Sequence, residues 1–416
     1  MSSKDVEKFK HTCPACRAEY PCEKLVYQCD CGSKVIVKVN LNDIEVSRKG
    51  MLSRREKDLP SIERYFEFLP LLNRKNLVHL GEGNTPLVHA KNLGRRLAMP
   101  HLYLKNEINN PTGSFKDRPI NVGLNRALEF GAETVASASS GNAANSLAAG
   151  SAKANIRCVA FVPADAPRSK IAQLLLYGAE VIPVGRTEGY LGDPTVEMLT
   201  KCYQELGFHP IPSFGHLNPY QMEGAKTIGY EIAEDMVPNH MLIPLGGGGL
   251  YLGNYNAFSE YKELDIVDEL PVMHAVQGAG CAPLVKAFRK NKPIETWEEP
   301  RTIAAGLADP FTWDGERVLT ALKENGGLAI GVEDGPIVEA QKLLARYEGI
   351  FAEPTGSASL AGLFKLVDEG VISKDETVVV EVTGHGFKDL VQVEGLFEMP
   401  GPIRPDMKDV RKRLRI

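Results

Sequence analysis

The sequence predicts an α/β fold of two lobes, each a parallel-rich twisted sheet covered by helices, preceded by a small cysteine ribbon. Three observations predict it. From about residue 76, short β-branched apolar runs alternate with helical segments, the pattern of parallel strands buried between helices. At 416 residues, the chain is longer than one hydrophobic core usually serves. Five of the eight cysteines fall within the first 31 residues, which sets that stretch apart as a separate module.

Taken in order, Cys13-Pro-Ala-Cys16 and Cys29-Asp-Cys31 read as two knuckles that could close a four-thiolate zinc site. The second knuckle is one residue tighter than usual, so a ribbon without metal, or reduced thiols in a small hairpin, stays open as an alternative. Four thiolates leave no open position for substrate, which makes the role structural. Residues 1–45 form this module, and 34–45 alternate like a strand. Residues 46–75 are charged, are broken by Pro60 and Pro70, and read as a connecting arm. Residues 76–398 carry the strand–helix units, with a smaller lobe over about 120–215 and a larger lobe in the remainder. Strands are expected at 134–139, 156–162, 180–184, 241–245, 272–276 and 377–382. Helices are expected at 143–154, 169–177, 194–206, 336–347 and 357–369. The tail, 399–416, is basic and reads as a solvated surface helix.

Composition narrows the function. A net charge of −5 disfavours a dedicated nucleic-acid binder, because phosphate neutralisation needs concentrated Lys and Arg. No apolar run is long enough to span a membrane. The start, Met1 to Lys8, has mixed charge and no apolar core, unlike a secretory signal. A cytoplasmic protein with reduced thiols is the expectation.

Ligands of parallel α/β sheets collect at the carboxyl ends of strands, so the turns there are the candidate sites. In Asn110-Pro-Thr-Gly-Ser-Phe-Lys116-Asp-Arg-Pro119, a tight turn sets Lys116 at the mouth of a helix beginning near Pro119. A positive helix end disfavours the ammonium and promotes the neutral amine that Schiff-base chemistry requires. Ser139-Ser140-Gly141-Asn142 joins a strand to a helix and could form an anion nest suited to a carboxylate, or simply an N-cap. Gly246-Gly247-Gly248-Gly249 is costly in chain entropy unless backbone N–H groups must approach a phosphate closely. It fits neither the P-loop nor the dinucleotide pattern, and a monophosphate suits it better. Thr383 ends an apolar strand and can hydrogen-bond a heteroaromatic nitrogen. His385 nearby is given no chemistry.

A lysine, an anion nest, a monophosphate loop and a hydroxyl together suggest pyridoxal 5'-phosphate. Asn110–Asp117 resembles the lysine motif of the threonine synthase branch of the fold type II pyridoxal-phosphate enzymes, whose fold is like the tryptophan synthase β chain. Leu80–Leu87, Tyr103–Glu107, Tyr177–Val181, Asn218-Pro-Tyr220, Glu223–Thr227 and Glu353–Leu360 also resemble that branch, and the cysteine-rich start resembles a ribbon found on some threonine synthases. The resemblance implies that Lys116 carries the cofactor covalently and later moves protons at the substrate's Cα and Cβ. It implies Phe115 against the ring, Asn142 on the phenolic oxygen, Gly246 to Gly249 on the phosphate and Thr383 facing the pyridine nitrogen. A neutral hydroxyl there leaves that nitrogen unprotonated, so more of the carbanion's stabilisation falls to Lys116 and nearby donors. Ser139, Ser140, Gly141 and Asn142 would grip the substrate carboxylate. A homodimer is also implied.

Three departures bear on the substrate. Members often show Thr-Gly-Asn-Thr where this chain has Ser-Gly-Asn-Ala143. They often have an Asn-rich phosphate loop, whereas four glycines are closer to serine and threonine dehydratases. Many place an Arg after Asn-Pro-Tyr to hold the substrate's phosphate, where this chain has Gln221, and an amide binds a dianion less well than a guanidinium. Arg118, Arg168 and Lys170 are the candidates to compensate. The leading expectation is conversion of O-phosphohomoserine and water to threonine and phosphate. The alternative is an ammonia-lyase or β-replacement reaction on another amino acid. A non-catalytic regulatory protein of the same fold is the remote one.

Overall fold

The computed structural model describes residues 7–44, 46–55, 59–185, 192–398 and 400–416. Met1 to Val6, on which much of the reading of the N-terminus rests, and residues 45 and 399 lie outside the described residues.

Among the described residues the strands form three sheets. The ribbon contributes β1 (Phe9–Thr12), β2 (Glu19–Pro21) and β3 (Ile36–Val39), all antiparallel in the order β2-β1-β3. The strand expected over 34–45 is shorter because the Asn40 side chain accepts the N–H of Asn42 and turns the chain into a 3₁₀ helix at Leu41–Asp43. The remainder of the chain contains β4 (Leu87–His89), β5 (Leu102–Asn106), β6 (Thr134–Ala138), β7 (Arg157–Pro163), β8 (Glu180–Val184) and β9 (His209–Pro210). They are followed by β10 (His240–Pro244), β11 (Val272–Gly278), β12 (Ala329–Val332) and β13 (Val378–Val382).

The larger sheet runs β12-β11-β10-β13-β5-β4 and is parallel except for β4 at its edge. The smaller runs β8-β7-β6-β9 and is parallel throughout. The uninterrupted apolar runs follow from burial on both faces. Met241 and Ile243 of β10 join one core while Leu242 joins the other, and Val379 and Val380 of β13 divide the same way. The smaller sheet has its own pair of apolar faces, with Ala160 and Val162 on one and Val159 and Phe161 on the other.

The segment 59–75, read as part of a connecting arm, lies instead largely inside the protein. Ile62, Tyr65, Phe68, Leu69 and Leu71 are buried, and Tyr65 and Phe68 pack against Tyr230 of the larger lobe. Arg64, in the same segment, is buried against Glu234. At least one of the arm's charges, Arg64, is therefore held in an internal ion pair. The tail does form a helix, Met407–Leu414, capped by Asp406 and exposed throughout most of its length.

Beneath the lysine turn lies a buried quartet of charges. Arg118 donates to Glu107 Oε2 at 2.7 Å and Oε1 at 2.8 Å, and to Glu231 Oε1 at 2.7 Å and Oε2 at 2.8 Å. Lys105 adds a 2.7 Å bond to Glu231, and Ser61, Thr85 and Thr227 complete the shell. Burial pulls the Arg118 pKa down, but the two glutamates outweigh it and hold it above its ordinary value. Removing one partner would strand the others in a medium that solvates charge poorly. Arg118→Met is expected to lower stability by about 3–5 kcal/mol, seen as a reduced urea midpoint; an unchanged midpoint would mean the quartet carries no such weight.

Candidate active site

The carboxyl ends of β10 and β13 in the larger sheet and of β6, β7 and β8 in the smaller one border a cavity of about 1460 Å³. Its walls include Phe115, Lys116, the Ser139–Asn142 turn, Gln221, all four glycines Gly246–Gly249 and Thr383. The structure thus brings the candidate lysine, cofactor and carboxylate-binding residues and Gln221 into one cavity, while the four cysteines sit apart in the ribbon.

Lys116 is placed by pairing of its own turn with the end of the central strand. Phe115 donates its backbone N–H to Thr383 O at 3.0 Å, and Ser114 bridges Gly384. Asn110 accepts from Gly83 N at 3.0 Å, tying the Leu80–Leu87 block to the same turn. The helix begins at Asp117 rather than near Pro119, with Lys116 itself at the N-cap. Asp117 folds back onto Thr112 N and Oγ1, which extends the helical turn toward the lysine. The Lys116 amine reaches Ser213 O at 3.4 Å and lies 4.9 Å from the Phe115 ring centroid. Desolvation lowers its pKa to about 8 against the opposing pull of Asp309.

Four α-helices start at this cavity without a capping side chain, while a fifth, Pro194–Leu206, is closed there by Asp193. Lys116, Gly141, Gly248 and Glu353 occupy the N-cap positions of the helices Asp117–Glu129, Asn142–Ala154, Gly249–Glu263 and Pro354–Asp368. Ordinary capping by Ser139 or Ser140 is not what forms: Ser139 Oγ accepts from Gly141 N at 3.1 Å instead. Helix starts of this kind favour anions. The glycine loop is shaped for close approach. A Cβ at Gly246 would stand 2.7 Å from Gly306 O, and Gly248 has a φ of +104°, which side-chain-bearing residues rarely adopt.

Thr383 is buried, and its Oγ1 has no protein partner. An orphaned hydroxyl at a cavity wall is a free hydrogen-bonding group of the sort a ligand satisfies. Gln221 is also buried. Its Nε2 donates to Phe214 O at 2.7 Å, and its Oε1 is unpartnered. That oxygen is an acceptor and suits a phosphate poorly. Of the three proposed compensating cations, Arg118 is fully engaged in the quartet and Arg168 does not line the cavity. Lys170 does.

Sequence reasoning missed Lys388, Glu353 and Asp309. Lys388 lines the cavity and donates to Gln173 Oε1 at 2.9 Å. Glu353 accepts from Asn142 Nδ2 at 2.9 Å, and burial raises its pKa to about 7 against the effects of Asn142 and Lys388. The Glu353-Pro-Thr-Gly block drew notice without a role; Lys388, five residues past Thr383, gave no separate signal.

In the ribbon, the Sγ atoms of Cys13, Cys16, Cys29 and Cys31 lie within 4.8 Å of one another. Cys13 and Cys31 are 3.7 Å apart, and Cys16 and Cys29 are 3.5 Å apart. Tetrahedral zinc with bonds of about 2.3 Å needs sulfurs roughly 3.8 Å apart, so the thiols fit that ion.

The model of the family "Pyridoxal-phosphate dependent enzyme" matches residues 78–384. The chain belongs to that family. Within it, the chain is 38% identical to the threonine synthase of Methanocaldococcus jannaschii over 97% of this chain and 98% of that one. It is 38% identical, with the same coverage, to the threonine synthase of Methanosarcina acetivorans. Among solved structures, a threonine deaminase from T.th. superposes with a TM-score of 0.61 at 25% identity, covering 77% of this chain and 94% of that one. Maize serine racemase gives 0.63 at 22% identity, covering 83% and 96%, and shows the shared fold. Together these establish a fold type II enzyme of the threonine synthase branch.

The family's cofactor fits the residues present: an amine of lowered pKa, a glycine cradle, open helix starts and an orphaned hydroxyl line one cavity. The neutral amine is the attacking form, so its share rises with pH through about 8. Capture of pyridoxal phosphate by cofactor-free protein, followed by visible absorbance, is expected to quicken up to that pH and then level. Hydride trapping should fix the cofactor on Lys116, and Lys116→Ala should bind it without the trapped adduct. An adduct on another lysine would reject this site.

Glu353 titrates in the opposite sense to stability. Its folded-state pKa lies above the usual carboxylate value, so it favours the folded state below about 4.5 and loses that contribution as pH rises through about 7. Glu353→Gln keeps an acceptor for Asn142 without the charge. In cofactor-free protein it is expected to add up to about 3 kcal/mol at pH 8 and little at pH 5, by denaturant titration. A pH-independent difference would contradict the assignment.

Proposed function

We propose that the protein converts O-phosphohomoserine and water to threonine and inorganic phosphate. One observation carries this reading beyond family membership: Lys116, the open starts of four helices, and two further cations, Lys170 and Lys388, share one cavity. A substrate with a carboxylate at one end and a phosphate at the other needs both a nest and a separate positive wall.

When bound, pyridoxal phosphate supplies an electron sink for the carbanion beside the substrate's amino group. Gly246 to Gly249 would hold its phosphate, Phe115 would bound its ring, and Asn142 and Thr383 would hydrogen-bond its phenolic oxygen and ring nitrogen. Ser139, Ser140, Gly141 and Asn142 hold the substrate carboxylate through the open start of helix Asn142–Ala154. Lys116, desolvated and readily neutral, takes one proton from Cα and one from Cβ while the Cγ–O bond breaks and phosphate leaves with the bonding pair. One of those protons is delivered to Cγ, which becomes the methyl group; water then adds through its oxygen at Cβ and gives up one proton to the released phosphate, and the second proton removed returns to Cα. Lys170 and Lys388 steady the departing dianion in place of an arginine at position 221. Glu353 orients Asn142.

A second reading has its own support. Gln221 offers an unpartnered acceptor, and the loop is all glycine, features that suit elimination or β-replacement on another amino acid. Four further proposals complete the picture: zinc on Cys13, Cys16, Cys29 and Cys31; a homodimer; a small amino-acid substrate without a nucleic-acid or membrane partner; and work in the cytoplasm. The eight free cysteines support a reducing compartment, and no helix among the described residues is long and apolar enough to cross a membrane.

The deciding assay feeds purified holoenzyme O-phosphohomoserine and measures threonine and phosphate in equal amounts. Ketoacid and ammonia from serine or threonine, with no turnover of the phosphorylated substrate, would establish the second reading instead. Under the first, Lys388→Met raises KM for O-phosphohomoserine about tenfold or more, the scale of one charge-assisted hydrogen bond.

A further inference from the structure

The ribbon is seated on the back of the active site. Its second knuckle leads through Cys29 N to Ser33 O (2.9 Å) and a bridge between Gln28 and Lys34. Lys34 then reaches out of the module to Asp314 Oδ1 at 3.0 Å and Trp313 O at 3.3 Å. Asp314 is buried, with its backbone N–H on Gly247 O at 2.9 Å. Its Cβ lies 3.3 Å from where a Cβ on Gly248 would stand. Trp313 stacks on Phe214 with ring centroids 4.2 Å apart and planes at 13°, and Phe214 O holds Gln221.

A second grip lies beside the first. The Val26 N–H donates to Tyr220 Oη at 2.7 Å, Tyr27 meets His209 Nδ1 at 2.9 Å, and Arg126 donates to the Cys22 and Lys24 carbonyls. Tyr220 directly precedes Gln221 on the cavity wall. The ribbon thus touches the supports of two walls without lining the cavity itself.

We propose that the ribbon is a positioning element for the glycine loop, Lys34 acting through Asp314 on Gly247 and Gly248. Lys34 and Asp314 touch neither substrate nor cofactor. The four-thiolate cluster keeps the knuckle rigid, so that Lys34 meets Asp314 at a fixed place and the loop's backbone N–H groups stay aimed into the cavity. A loop that only approximates this geometry holds an anion less tightly, since hydrogen bonds weaken steeply with misalignment.

The inference rests on Gly246–Gly249 as the cofactor's phosphate site, and the test separates the two. The readout is the dissociation constant of pyridoxal phosphate, titrated into cofactor-free full-length protein by visible absorbance, independent of any substrate. Lys34→Met, which keeps the aliphatic stem, is expected to weaken binding about tenfold. Asp314→Asn should weaken it similarly, and the double variant no further than the worse single one. Cys29→Ser with Cys31→Ser should weaken it at least as much as Lys34→Met. Lys10→Ala, which breaks only the exposed pair with Glu19, should leave it unchanged. Wild-type affinity in Lys34→Met, or in the double serine variant, overturns the inference provided Gly246→Ala binds weakly. If Gly246→Ala also binds as the wild type does, the loop reading falls and takes the inference with it.

Discussion

The active site depends on keeping four charges dry. Arg118 stands two residues beyond Lys116, and its guanidinium is shared between Glu107, which follows strand β5, and Glu231, on a helix of the larger lobe. Two cations and two carboxylates cancel, and each carboxylate is further bonded to a hydroxyl or backbone N–H. Such a group is a weak source of net stability because desolvation offsets much of its attraction. Its value is geometric. With every bond directional and every charge answered, the lysine turn has one position relative to the sheet end, and the side chain of Lys116 inherits it.

The same arrangement explains why the lysine's charge is easily lost. Burying a primary amine at an open helix start penalises the ammonium; Asp309 partly offsets this. Were a carboxylate paired directly with Lys116, the amine would be held charged and poorly reactive. The chain keeps its strong ion pairs below the turn, and the Lys116 amine has a long carbonyl contact at Ser213 and the Phe115 ring beside it.

Local chemistry was readable from the sequence; long-range pairing was not. The strand runs and the turns after them were legible because their signals are local: alternation, β-branching, consecutive glycines, a proline near a helix start. Helix Pro194–Leu206 matched its expected bounds, since Asp193 caps it and Gly207 ends it. Arg118 looked like a free cation because nothing near it in sequence reveals Glu231, 113 residues away. Segment 59–75 read as a connecting arm for the same reason: Arg64 meets its carboxylate on a helix far along the chain. Glu353 had a visible motif but no visible partner, because its bond to Asn142 crosses from one lobe to the other.

Those long-range pairs also decide what the uncharged residue at position 221 means. An arginine there would sit on a buried segment that already donates to Phe214 O and is gripped from behind by the ribbon through Tyr220. Positive charge is instead supplied from Lys170 and Lys388, on segments whose carboxylate neighbours, Asp389 and Glu353, also line the cavity. Burial pushes the Lys388 ammonium below its ordinary pKa, with Asp117 and Glu353 opposing that shift. Because Glu353 gains charge as pH rises through about 7, the wall's net positive character weakens over the same interval. The lysine wall of the cavity thus carries a charge balance that shifts near neutrality, whereas the helix starts at the same cavity present dipoles that do not titrate.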